Sequence, residues 1–175
     1  MGSLHKRVEL LANLSIIVVA ILVCIVLTKR FVLSPSQERD LNERITAGSK
    51  IDIPGIDWKD NKQTLLLVLA QGCHFCSESA PFYKQLVEKN SAAGNTKFVA
   101  IFPREVSEGH KYLDDLGVPI ADVRQVSFGS IHVGGTPTLI LVDSMGVVKG
   151  VWLGKVAPES EAEVLNKVLC NECGS

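Results

Sequence analysis

Two cysteines separated by two residues, Cys73-His74-Phe75-Cys76, carry the clearest chemistry in this chain of 175 residues. They follow a continuous apolar run of strand length, Thr64 to Ala70. Behind them Ala80, Phe82, Tyr83, Leu86 and Val87 repeat at helical spacing. The pair is therefore predicted to lie where a buried strand turns into a helix. On a helix's first turn, residues i and i+3 share a face about 5 to 6 Å apart, within the range a disulfide spans, so the bond can close and open with little movement. The first cysteine looks into free N–H groups and the positive end of the helix, which stabilise a thiolate, the form that attacks disulfides. This makes Cys73 the nucleophile and Cys76, one turn in and more covered, the residue placed to resolve a mixed disulfide. When protonated, His74 adds positive charge beside Cys73, stabilises its thiolate, and tunes the disulfide to be more oxidising. Phe75 is either an apolar contact for substrate or part of the helix packing.

A second C-x-x-C, Cys170-Asn171-Glu172-Cys173, lies almost at the terminus. A four-cysteine zinc site with the first pair is disfavoured, because a last helix of about twelve residues would carry the chain roughly 18 Å from the first pair. A terminal pair, inert or exchanging with another protein, fits better.

The elements that must hold Cys73 and Cys76 are legible as alternating strands and helices. Gly48 to Asn61, with Pro54, Gly55 and Trp58, suits an edge strand or hairpin opening a domain, with Trp58 as a lid on its core. Strands are predicted at Thr64 to Ala70, Lys97 to Phe102, Val118 to Ala121 and Thr138 to Val142, the last returning through Asp143 to Gly146 as a hairpin into Val147 to Leu153. Helices are predicted at Cys76 to Asn90, Ser107 to Leu116 and Pro158 to Leu169, with a helical turn or two between Val123 and Val133. Such an order gives an α/β domain, a mixed central sheet with helices on both faces.

Ahead of that domain, Leu10 to Thr28 is interrupted only by Asn13 and Ser15. Its nineteen residues would span about 28 Å as a helix, close to a bilayer's hydrocarbon thickness, and it reads as one transmembrane helix. It runs into Thr28-Lys29-Arg30 with no small-residue cleavage site, so the anchor is expected to stay. The predicted organisation is a tail at 1–9, a transmembrane helix at 10–28, a polar stalk at 29–49 and a folded domain at 50–175. Four of the 18 basic residues and one of the 19 acidic ones fall in the first thirty positions, leaving 14 against 18 and a net charge of -4. That balance excludes nucleic acid as the expected partner, since phosphate binding needs a basic face.

The strand TLLLVLA, then CHFC opening a helix, then Gly135-Thr136-Pro137-Thr138 about sixty residues later entering a hairpin, resemble the thioredoxin superfamily. With the apolar anchor and the extra segment Val118 to Val133, the chain looks most like bacterial membrane-tethered thiol-disulfide oxidoreductases of the TlpA type. The resemblance covers residues 50 to 170. It implies a thioredoxin-like fold and exchange of disulfides with protein thiols, with Cys73 as nucleophile and Cys76 as resolver. It implies a cis proline at Pro137 that brings the Thr136 backbone beside the disulfide to pair with an extended substrate. No organic cofactor is implied beyond the Cys73-Cys76 disulfide itself. A recycling redox partner and a domain on the periplasmic side of a bacterial inner membrane are implied as well. Two positions depart from the pattern: Gly72 stands where many members have an aromatic residue, and Leu67 where many have a buried acid. The family's proton relay is therefore missing unless Glu78 or a histidine replaces it. The alternative is an anchored copper-binding or metal-delivery module on the same fold, with His132 as a further ligand. Such modules usually have one more residue between their cysteines.

Overall fold

The computed structural model describes residues 17–19, 21–23, 44–94 and 96–170. The chain divides into two units, 1–43 and 44–175. In the first, residues 17–19 and 21–23 are helical and their apolar side chains are about half exposed. The remainder of the predicted transmembrane helix, the tail and the stalk through residue 43 lie outside the described residues. Among the described residues, no helix is long and apolar enough to cross a membrane.

In the second unit the strands are β1 (Gln63–Val68), β2 (Thr96–Phe102), β3 (Asp122–Gln125), β4 (Thr138–Asp143) and β5 (Val148–Leu153). The helices are α1 (His74–Glu78), α2 (Ala80–Ala93), α3 (Val106–Leu116) and α4 (Pro158–Leu169). One mixed sheet runs in the order β3-β2-β1-β4-β5. The β1–β2 and β2–β3 pairs are parallel, while β1–β4 and β4–β5 are antiparallel. Central β1 is buried along its whole length, as its unbroken apolar run requires.

Alternate residues of each strand feed two separate cores. Leu65, Leu67, Ala100, Phe102, Leu139 and Leu141 face Tyr83 and Leu86 of α2, Leu113 of α3 and Val164 and Val168 of α4. Leu66, Val68, Val99, Ile101, Ile140 and Val142 face Ile51, Ile53, Ile56 and Ile131. The expected helices on both faces thus take an unequal form. Among the described residues of this unit, the four α-helices lie on one face, and the other is covered by extended chain and two single 3-10 turns, Trp58–Asp60 and Phe128–Ile131. The reason is topological: the β1-to-β2 and β2-to-β3 crossovers step the same way along the sheet, and right-handed connections then place both helices on the same side.

Residues from Arg44 on belong to the second unit, where Ile45 packs on the second core and donates its N–H to the His132 carbonyl at 3.2 Å. Three further expectations are corrected. Gly48 to Asn61 forms no strand or hairpin, only an isolated bridge between Lys50 and Val147, although Trp58 does lie half-buried over the second core. The predicted strand at Val118 to Ala121 is displaced to β3. Pro119 has no N–H for a ladder, and Val118 and Ile120 instead sink into the first core as a connector. The helix predicted over Cys76 to Asn90 is two helices that meet at Ser79, because Pro81 cannot donate to an i−4 carbonyl and starts α2 afresh.

Gly109, inside α3, is packed so closely that a methyl group there would meet Phe102 Cδ2 and Val123 Cγ1 at 2.8 Å. Gly109→Ala is therefore expected to destabilise the domain by about 1–3 kcal/mol, read from urea unfolding midpoints, although alanine is the better helix former.

Candidate active site

The end of β1 delivers the motif. Leu69 keeps the ladder to Ile101 with one further N–H bond at 2.9 Å, and the chain turns at Gly72 with φ +73°, a backbone region few residues other than glycine enter. Cys73 is then the N-cap of α1, and its sulfur accepts the N–H of Cys76 at 3.3 Å. Serine, threonine or aspartate oxygens ordinarily take that place. A thiolate there is held by the same free donors. Cys76, one turn on, is fully buried in the first core beside Leu67, while Cys73 stays half-exposed at its margin. Both thiols are free.

The loop before β4 closes over the pair. The Thr136–Pro137 peptide is cis and Pro137 is buried. The Thr136 carbonyl accepts from the Cys73 thiol at 3.4 Å. The Pro137 carbonyl in turn accepts the Gly154 N–H at 2.7 Å, which fastens the segment after β5 to the same place. Cys73, Cys76, Thr136 and Pro137, four of the residues the sequence singles out, are brought together.

The two sulfurs have opposite electrostatics. Partial burial raises the Cys73 thiol, but hydrogen bonds with the side chains of Cys76 and Thr136 and with the backbone N–H groups of Cys76 and Phe75 outweigh it and hold Cys73 below the ordinary thiol range. Burial, and then the neighbouring Cys73, push Cys76 up to about 12. The Cys73 sulfur therefore ionises more readily than the Cys76 sulfur, which stays protonated.

His74 lies at the surface, with its Nε2 3.0 Å from Glu78 Oε1. The second oxygen of Glu78 meets Lys155 Nζ at 3.2 Å. Glu78 is thus no substitute for the missing buried acid: its carboxylate is at the surface, and Lys155 first and His74 second hold it below the usual carboxylate range. His132 has an exposed side chain and caps the 3-10 turn Phe128–Ile131 in the left-handed region at φ 51°. Among the described residues, no three His, Cys, Asp or Glu side chains are grouped to hold a metal ion.

Several contributors escape sequence reasoning. Gln71 Nε2 donates to the Glu108 carbonyl at 2.9 Å, and Tyr112 OH pairs with Ser77 Oγ at 3.2 Å, so two points on α3 cradle the CHFC turn from either side. Leu153 and Phe75 leave 55% of their surfaces open, and Leu153 Cδ1 lies over Gly135, next to Thr136. No spacing rule connects β5 or α3 to residue 73, so only the register of the sheet reveals these contacts. Cys170, half-buried, caps the end of α4. The neighbouring Val168 carbonyl is bonded by Gln63 and Thr96, at the start of β1 and β2. Cys73 lies beyond the other end of β1, a strand length of roughly 20 Å away. Cys173 falls outside the described residues.

No protein-family model matches the chain, and no curated protein matches it in sequence. Solved structures do match. A candidate thiol:disulfide interchange protein DsbE from Chlorobium tepidum superposes with a TM-score of 0.56 at 22% identity, covering 73% of this chain and 98% of that one. The thioredoxin domain of a thiol-disulfide oxidoreductase from Bacteroides vulgatus gives 0.55 at 18% identity, covering 72% and 99%. A secreted disulfide oxidoreductase of Mycobacterium tuberculosis, homologous to Escherichia coli DsbE, gives 0.50 at 19% identity, covering 74% and 97%. The fold of residues 44–170 is thioredoxin-like.

The two thiols are expected to separate in alkylation. Iodoacetamide should label Cys73 at a rate that falls only as pH drops through its depressed pKa, while Cys76 stays unlabelled until strongly alkaline pH. Mass spectrometry of tryptic fragments reads both; equal labelling of the two at pH 7 would contradict the asymmetry.

Proposed function

We propose that the chain is a thiol-disulfide oxidoreductase whose thioredoxin-like domain exchanges disulfides with protein thiols and is held to a membrane by residues 10–28. The observation that carries the activity is the half-exposed sulfur of Cys73, which caps α1 beneath the Thr136 carbonyl with the buried Cys76 one turn behind it. The Cys73 thiolate attacks one sulfur of a substrate disulfide, forming a mixed disulfide and expelling the other substrate sulfur as a thiolate. Cys76 then gives up its proton and attacks Cys73 Sγ. The second substrate sulfur leaves and takes a proton, and Cys73 and Cys76 end oxidised, two electrons having passed to the substrate. The reverse sequence oxidises a substrate dithiol, and either direction needs a partner dithiol or disulfide to restore the starting state. Thr136 and Pro137 hold the substrate segment beside Cys73, and His74 acts at the rim of the site as a tuning group.

Support for the anchor is the apolar run itself. Its described residues Ile17, Val18, Val19, Ile21, Leu22 and Val23 are helical yet about half exposed, as side chains meant for lipid would be. A membrane-held thiol exchanger is useful in an oxidising space, so the domain is placed on the periplasmic side of a bacterial inner membrane.

The decisive experiment changes Cys76 to Ser in the full chain. Stable mixed disulfides to protein partners are expected, seen as adducts that dithiothreitol removes, and they should vanish when Cys73 is also changed. An empty trap beside an intact, folded protein would sink the activity. Because Leu67 offers no acid to take the Cys76 proton, release of a preformed mixed disulfide in the wild-type chain is expected to accelerate about tenfold per pH unit across the neutral range, below the raised Cys76 value of about 12. A flat profile in a stopped-flow release assay would mean that another group takes the proton.

A further inference from the structure

Glu78 lies on the motif's own helix, and its two carboxylate oxygens serve different cations. Oε1 meets His74 one turn back, and Oε2 meets Lys155 on the loop behind β5. That loop is pinned to the Pro137 carbonyl through Gly154, and Pro137 follows the residue whose carbonyl receives the Cys73 thiol. One potential positive charge thus follows the nucleophile directly and a second sits on a loop fastened to the Thr136–Pro137 loop, and a single carboxylate binds both. The side-chain exposures are 78% for His74, 44% for Lys155 and 38% for Glu78, so these pairs add little to stability. Their effect is on the local field rather than on the fold.

We propose that Glu78 is a positioning residue for the exchange: it keeps the charges of Lys155 and of protonated His74 paired with itself, limiting their pull on the Cys73 sulfur and leaving the thiolate to its backbone N–H donors. This rests on the exchange reading and adds how that site is set. A histidine directly after the nucleophile would by itself make the disulfide more oxidising. Here the ring is drawn along α1 toward residue 78, and the carboxylate's own negative charge opposes both cations as felt at residue 73. A unit charge about 10 Å away through largely aqueous surroundings changes a thiol's ionisation about two- to fourfold. Of the other titratable or charged groups on elements packed around the motif, which include Lys84 on α2 and Glu108 and His110 on α3, Tyr83 and Tyr112 are the ones that sense its sulfurs. All are common to the variants below.

The test uses the full chain in detergent, with Cys24, Cys170 and Cys173 changed to Ser so that only the motif's thiols report. Thiolate absorbance is followed against pH, without substrate, in the parent and in Glu78→Gln and Lys155→Gln. Glu78→Gln is expected to move the Cys73 titration to lower pH, raising the thiolate-to-thiol ratio about two- to fourfold at a fixed pH below the midpoint. Above the midpoint, the equilibrium with glutathione should shift toward the dithiol by the same factor. Lys155→Gln should move the titration the opposite way, and about 0.5 M NaCl should shrink both displacements by screening. A merely structural ion pair would move both variants in the same direction, because each breaks the same link, and that result overturns the proposal. So does a Glu78→Gln titration that stays in place or moves up. Adding His74→Asn to Glu78→Gln should return part of the shift; no return overturns the share assigned to His74. An empty Cys76→Ser trap with the expected titrations would remove the exchange reading alone, whereas a filled trap with unmoved titrations would remove this one alone.

Discussion

One short contact organises the site: the N–H of Cys76 pointing at the sulfur of Cys73 across 3.3 Å. A helix begins with N–H groups that have no carbonyl of their own, and something must accept from them. Here the Cys76 N–H is shared between the Cys73 carbonyl at 3.1 Å and the Cys73 sulfur, and the sulfur accepts best when ionised. The start of α1 and the reactivity of Cys73 are therefore one physical fact. The same geometry places the second sulfur one turn deeper, where it has no exposed surface and its charged form is disfavoured. Two chemically identical side chains are set apart by depth and by which of them receives the helix's N–H donors.

That depth is set by the sheet. β1 is sandwiched between β2 and β4 and covered on both faces, so its end is a rigid platform from which the Gly72 turn launches the motif. Antiparallel β4 starts beside that end, which is why the Thr136–Pro137 loop meets Cys73 although sixty-three residues separate Thr136 from it. β5 pairs with β4 and ends beside the same point, bringing Leu153 and Lys155 to the rim. From the helical face, α3 supplies Tyr112 and the Glu108 carbonyl. Three chain-distant elements thus enclose a turn that local sequence alone would leave loose.

Legibility in the sequence followed how local the determining physics was. β1, β2, β4, β5 and the last two helices could be read because buried strands need continuous apolar runs and amphipathic helices a 3.6-residue period. β3 escapes the apolar pattern because it is an edge strand. It has one neighbour, a single buried residue in Val123, and a polar cluster of Asp122, Arg124 and Lys97 in place of an apolar pattern. The segment Gly48 to Asn61 reads as an edge strand or hairpin because Ile51, Ile53, Ile56 and Trp58 stand among Pro54, Gly55 and charged residues. These apolar side chains instead cap the second core from loops, with little ladder pairing. Among the functional side chains, Glu78 is an acid two residues past the motif that could stand in for the missing relay. Spacing alone does not say which way a side chain faces, and Lys155, the partner that holds it at the surface, lies 77 residues away.

By itself, the sequence determined the chemistry available: a dithiol at a strand-to-helix junction, a proline loop sixty residues on, a leucine where an acid would change proton transfer, and an apolar stretch ahead of the domain. Each of these depends on residue type and short spacing. The tertiary structure alone decided which face carries the helices, how deep each sulfur lies and which charges meet at Glu78. These follow from the hand of the crossovers and the register of β4 and β5 against β1, which couple residues too far apart in the chain for any local pattern to encode.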